Sequence, residues 1–193
     1  MTRAWVGLVF LWMSVAAAEP AVLTVDAKTP EAPRTWAVLG SFTSLGVGAL
    51  LSPGPHRARS GEVFTSLRDR TLEGRYGEAW QFWDTGLWAA SVQASGSLLT
   101  TAMGPFDLGL GPHAGISLGL GRPRWDVFLN ASAGAEFFLR QLGPRIPVRA
   151  GLGGRVHVGP LTLALLARAG ADFEVRRQFA LRADALLAVG FER

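Results

Sequence analysis

The 193-residue chain contains no cysteine and a single lysine, Lys28. The missing cysteines exclude a disulfide framework, so stability must come from packing or from a large closed hydrogen-bond network. With lysine almost gone, the formal charge of +4 rests on arginine, and the arginines are scattered singly. That scatter excludes the clustered basic face with interleaved aromatics by which a nucleic-acid partner would be held. The chain also lacks a long apolar run beyond its first eighteen residues. The most apolar stretch, Leu161 to Ala167, is interrupted by Thr162 and ended by Arg168, too short for a membrane-spanning helix. If the chain crosses a membrane, it has to do so with strands.

What is present begins with a leader. Arg3 supplies a positive first region, Ala4 to Val15 are almost wholly apolar, and Ala16-Ala17-Ala18 offers a small-residue cleavage site. This is the pattern of a secretory signal peptide over 1–18, with a mature amino terminus at Glu19. Residues 19–34 carry three prolines and no sustained period, and are expected to be an extended lead-in.

From residue 35 onward the chain alternates. In 105–121 (PFDLGLGPHAGISLGLG), Phe106, Leu108, Leu110, Ala114, Ile116, Leu118 and Leu120 share one parity, and glycine fills most of the other. A period of two predicts a β-strand with one apolar face. The same pattern recurs over 125–139, 146–158, 161–173 and 179–191, with short turns such as Gly159-Pro160 between them. Leu166 is the one large residue on the wrong parity of its strand. The first half is less regular: 35–51 reads as one strand, Ser52 to Ser60 as a loop, 86–101 as a strand, and 62–76 equally well as a polar strand or an amphipathic helix. Counting 62–76 as a strand gives eight, and the fold class is an all-β, antiparallel, up-and-down barrel.

Two barrels share this alternation, one soluble with an apolar inside and one in a membrane with an apolar outside. Glycine separates them. Gly109, Gly111, Gly115, Gly119, Gly121, Gly134, Gly151, Gly153, Gly170 and Gly190 all fall on the polar parity. On a water-facing surface they would weaken the strands for no packing return, whereas in a narrow interior they leave room for charged side chains. Phe106, Trp125, Phe137, Phe173, Phe179 and Phe191 lie on the apolar parity at strand ends, the position of an interfacial girdle. Twelve steps separate Trp125 from Phe137, on the order of 30 Å at about 40° of tilt. With its leader, strand count, glycine-rich polar parity and closing aromatic Phe191, the chain resembles the small eight-stranded outer-membrane β-barrel proteins. The resemblance is one of pattern over 35–193. It implies a transmembrane barrel in the outer membrane, with membrane lipid and the barrel-assembly machinery as partners and 19–34 as a periplasmic lead-in.

Candidate chemistry lies on the polar parity. Glu136, Arg140, Arg149, Arg155, Arg168, Asp172, Arg182 and Asp184 alternate in sign across neighbouring strands. They read either as a salt-bridged plug or as the lining of an anion pore, and the small bore of an eight-stranded barrel favours the plug. His113, Ser117 and Glu136 suggest a lipid hydrolase, but Ser117 lies roughly 13 Å along the strand from His113, beyond hydrogen-bond reach. His56, His113 and His157 fall in different elements without metal-ligand spacing, and the Gly-x-Gly runs lack the strand-to-helix setting of a phosphate loop. No cofactor is expected. The expected role is therefore structural, in envelope integrity and without catalysis. The alternatives are a lipid-modifying hydrolase and a soluble lipocalin-like carrier of an apolar ligand. Within the interior Gly170→Ala is expected to be mild, since it adds one methyl group.

Overall fold

The computed structural model describes residues 34–42, 44–66, 70–101, 107–122, 124–140, 144–174 and 177–192. The leader, the lead-in as far as residue 33, and Phe106 lie outside them. Each alternating segment is a strand: β1 (Arg34–Ser41), β2 (Ser44–Gly54), β3 (Arg57–Ser66), β4 (Thr71–Asp84), β5 (Trp88–Thr101), β6 (Leu108–Arg122), β7 (Trp125–Gly134), β8 (Phe137–Phe138), β9 (Arg145–Val158), β10 (Leu161–Glu174) and β11 (Arg177–Glu192). No helix among the described residues is long and apolar enough to cross a membrane.

Sequential strands pair antiparallel, β5 joins β6, β7 joins β9, and β11 returns to β1. Ten strands therefore close a barrel, and the two-residue β8 continues β7 along β6 in unchanged register. The expected count of eight is corrected to ten. Residues 35–51 fall on two strands, β1 and β2, and the described part of 62–76 is the end of β3 and the first six residues of β4, with no helix among the described residues. The anticipated loop at 52–60 is a turn at 55–56 between the paired ends of β2 and β3.

The registers fix the shape. Carried once around the barrel from Val38, they return to β1 at the level of residue 50, a stagger of 50 − 38 = 12 residues. For ten strands about 4.8 Å apart, this stagger corresponds to a tilt of about 40° and a backbone radius of about 10 Å. At one end, where β1 begins and β11 finishes, the strands are joined across 55–56, 85–87, 123–124 and 159–160; at the other, across 42–43, 67–70, 102–107, 139–144 and 175–176. We call these the terminal and distal ends.

The wall is apolar outside and polar inside. Trp36, Val38, Val47, Leu118, Leu129, Leu152, Leu163, Leu165 and Leu187 point outward and are exposed. Glu62, Glu73, Arg75, Asp126, Arg149, Arg155, Arg168 and Asp172 are buried. Water would not leave so many large apolar side chains exposed around a charged core, whereas hydrocarbon favours it. The interior glycines serve the expected purpose of close packing. A Cβ at Gly153 would overlap the Phe128 ring, and one at Gly134 would overlap His113. Gly170 is tighter than expected: a methyl there would collide with the Val148 carbonyl and the Arg149 backbone, so Gly170→Ala is not a mild change.

Placing a charge on the outer face tests this sidedness. Leu165→Arg puts an unpartnered cation near the middle of β10 and should cost about 2–4 kcal/mol in urea titrations of the protein folded in lipid vesicles. Gly61→Ala, whose Cβ meets nothing within 4 Å, should leave the midpoint unchanged.

Candidate functional site

The barrel interior concentrates the chain's chemistry. Around the distal end, Arg145 is held by Glu136 in two ways: their backbones exchange hydrogen bonds of 2.8 and 2.9 Å, and the guanidinium meets the Glu136 carboxylate at 2.5 Å. The pairing follows from sequence position. β7 is interrupted at Ala135, and an isolated bridge joins Glu136 to Arg145 at the start of β9. Asp172 on β10 receives Arg149 at 2.5 Å and also pairs with Arg182, with Arg145 at 3.9 Å. Deeper in, Arg168 forks onto Asp184 through Nε at 3.1 Å and Nη2 at 2.5 Å. Toward the terminal end Arg155 grips one oxygen of Asp126 at 2.7 and 2.9 Å. On the opposite wall Arg75 pairs with Glu73 at 2.8 Å and stacks over Phe64, 4.0 Å from its ring centre.

Buried charges of both signs line the interior. Among the described residues, Arg75, Arg145, Arg149, Arg155, Arg168 and Arg182 face Glu62, Glu73, Asp126, Glu136, Asp172 and Asp184, six cations against six carboxylates. Arg145, Glu136 and Asp172 are at most 2% exposed in their side chains, so removing one partner would strand a desolvated charge. Of the eight residues expected to form a lumen network, seven do so. Arg140 does not: it is exposed in the turn after β8, where its backbone N–H reaches Asp107 at 3.3 Å. Sequence reasoning omitted Arg145, Asp126, Glu62, Glu73 and Arg75. Asp126 stood on the correct parity, and Arg145 lay just before the anticipated strand start.

Between the charged layers the lumen is apolar. Leu39, Phe64, Phe128, Leu166 and Leu186 are buried as one cluster with Ala37 and Ala89. Leu166, the parity exception, is thus an inward side chain of this plug.

Ser117 stands apart from His113 and Glu136. Ser117 accepts a 2.9 Å hydrogen bond from Asn130. His113 and Glu136 do come together over Gly111, whose missing side chain leaves the space that His113 Nε2, Glu136 Cγ and Ser97 Oγ border. All are buried, Ser97 donates to the Gly111 carbonyl, and Glu136 is committed to Arg145. Among the described residues no group of metal-ligating side chains is found.

The outer surface carries the expected aromatics. Trp125, Phe137, Phe173, Phe179 and Phe191 are all exposed at strand ends. Sequence reasoning missed Trp36, Trp80, Trp83 and Trp88, which complete a tryptophan belt at the terminal end; Phe137, Phe173 and Phe179 lie at the distal end. Two aromatic rims bounding an apolar band make this a membrane-spanning barrel.

No protein-family model and no curated protein matches the sequence. Among solved structures the chain is similar to a bacterial polysaccharide outer membrane secretin, at 12% identity and a TM-score of 0.48 over 80% of this chain; it spans 57% of that chain's length. It is similar to the β-domain of the Bordetella autotransporter BrkA, at 12% identity and a TM-score of 0.43, covering 86% of this chain and 99% of that one. It is also similar to the outer membrane channel DcaP of Acinetobacter baumannii, at 10% identity and a TM-score of 0.39, covering 94% of this chain and 69% of that one. The description of the barrel rests on the chain's own registers and burial.

Asp172→Asn tests whether the interior network carries stability. It leaves Arg149 and Arg182 without their anion and should destabilise the folded protein by about 3–5 kcal/mol, read as a lowered urea midpoint in vesicles. Arg140→Ala should shift that midpoint by less than about 0.5 kcal/mol.

Proposed function

We propose that this chain is an outer-membrane β-barrel with a structural role in the cell envelope, without channel or catalytic activity. One observation carries the reading: the lumen is filled by paired charges on both sides of an apolar plug. An ion entering it would lose its water and meet arginines already neutralised by carboxylates. A selective anion pore needs the opposite, an excess of one sign along an open path. The His113 and Glu136 pair is buried and tied to Arg145, which leaves a lipid substrate no approach to it. The apolar outer face argues against a soluble carrier, whose ligand cavity would be inside.

The turn lengths supply the orientation. Longer connections gather at the distal end, so that end faces outward and the terminal end faces the periplasm. Membrane lipid surrounds the band, and the barrel-assembly machinery is the partner that inserts it.

Two measurements test the reading together. The purified protein in planar bilayers should show no steady conductance, and a strain lacking it should become more permeable to detergents and bulky dyes. Large, stable, anion-selective steps that shrink in Arg168→Ala would overturn the plug.

A further inference from the structure

The outer wall has one region that breaks its own rule. Among the strand residues whose side chains are described, the outward-facing charges are Arg34, Arg57, Arg59 and Glu78, together with Arg122 at the end of β6. The first four lie toward the terminal end, Arg57, Arg59 and Glu78 on the paired strands β3 and β4 and Arg34 on β1 one strand beyond β2, and three of them are cations. Glu78 is 16% exposed in its side chain and lies beneath the two arginines that bracket it, Arg57 at 2.5 Å and Arg59 at 3.1 Å, each 41% exposed. Tyr76 donates to the second Glu78 oxygen at 2.6 Å, and Arg57 also lies 5.8 Å from the centre of the Trp80 ring. One carboxylate thus orients two guanidinium groups and leaves both facing out, with net positive charge.

Directly beside this cluster the wall is notched. Along the hydrogen-bonding direction Trp36 pairs with Ala49, Ala49 with Gly61, and Gly61 with Tyr76. Two aromatic side chains therefore stand on either side of two residues with almost no side chain. One row toward the membrane centre lie Val38, Val47 and Val63; one row toward the terminal end lie Arg34, Leu51 and Arg59. The notch is one end of an open groove of about 500 Å³ that runs from Gly61 and Val63 on β3 past Ala49 and Trp36 to Val189 and Phe191 on β11 and Leu161 on β10. Its lining is apolar, and at its β3 edge Gly61 stands two residues from Arg59 on the same outward face.

We propose that this notch is a binding site for an anionic phospholipid of the leaflet at the terminal end. Its acyl chain lies over Ala49, Gly61 and the valines, and its phosphate is held by Arg57 and Arg59. The chemistry matches at both ends: guanidinium groups fork onto phosphate oxygens, and a groove floored by small side chains accepts a chain that a smooth leucine wall would not. Arg59 sits two residues deeper than Arg57, about 5 Å along the axis at 3.3 Å per residue and 40° of tilt, within the depth of a phospholipid headgroup. The inference rests on the membrane-spanning reading of the barrel and is independent of its role in the envelope.

The test uses the full barrel in detergent with equimolar phosphatidylglycerol and phosphatidylcholine of identical acyl chains, with retained lipid counted by native mass spectrometry. Wild type should keep one phosphatidylglycerol in preference to phosphatidylcholine. The R57Q/R59Q double variant should weaken phosphatidylglycerol by at least about tenfold, since both charge-assisted contacts to the phosphate are lost, with phosphatidylcholine unchanged. Gly61→Trp fills the notch while both arginines stay in the chain, into space where a Cβ meets nothing within 4 Å, and should lower retention of both lipids. Equal retention of the two lipids by wild type, an unchanged preference in R57Q/R59Q, or unchanged retention in Gly61→Trp would overturn the site. The shift between unboiled and boiled samples on a gel, measured first for every variant, reports the folded barrel, so failure of the membrane reading is seen separately from failure of lipid selection.

Discussion

Everything in this structure depends on the pairing of β1 with β11. In a sheet ten strands wide, two edges would present rows of unpaired N–H and C=O groups, and in hydrocarbon each such group is unaffordable. Seven residue pairs, from Thr35 with Glu192 to Ser41 with Leu186, remove both edges at once. β1 is the shortest full strand of the wall, so its two joins, the seam with β11 and the pairing with β2, have only seven residue pairs each. Closure in turn sets the stagger, the stagger sets the tilt and radius, and the radius decides that the interior must be filled by side chains rather than by a water column.

How that interior is filled explains the composition. Each strand of a membrane barrel has to send half of its residues inward, and here those residues include six arginines and as many carboxylates. Large charged side chains fit in a bore of this size only if their neighbours are small, hence glycine opposite or beside them. The same exchange operates for aromatic rings: Phe128 lies over Gly153, Phe138 over Gly109 and Phe64 over Gly46. Glycine weakens a strand taken alone, and the barrel recovers that loss through the ion pairs and rings that occupy the vacated space.

Fold class, sidedness and most of the charge network were legible in the sequence because they depend only on parity. Parity survives wherever a strand is long and its outward residues are bulky, as in β6 to β11. The count failed where parity misled. Leu39 and Leu45 have the same odd numbering and looked like one face of one strand. The antiparallel pairing of β1 with β2 sets Leu39 opposite Gly46, so Leu39 faces inward and Leu45 outward, and two strands passed for one. Over 62–76 the outward positions include Thr65, Gly74 and Tyr76, too varied to show a period, while Glu62, Glu73 and Arg75 face in. The cluster of Arg57, Arg59 and Glu78 could not be read at all, since it exists only through the register of β3 against β4.

The asymmetry of the two aromatic rims has an optical consequence. Every tryptophan of the described barrel, Trp36, Trp80, Trp83, Trp88 and Trp125, sits at the terminal end, whereas the distal rim is built from phenylalanine. Ultraviolet emission from the folded barrel therefore originates in one leaflet. A quencher confined to that leaflet dims the whole signal and one confined to the opposite leaflet leaves it bright, so the wall reports its own direction of insertion without an added dye.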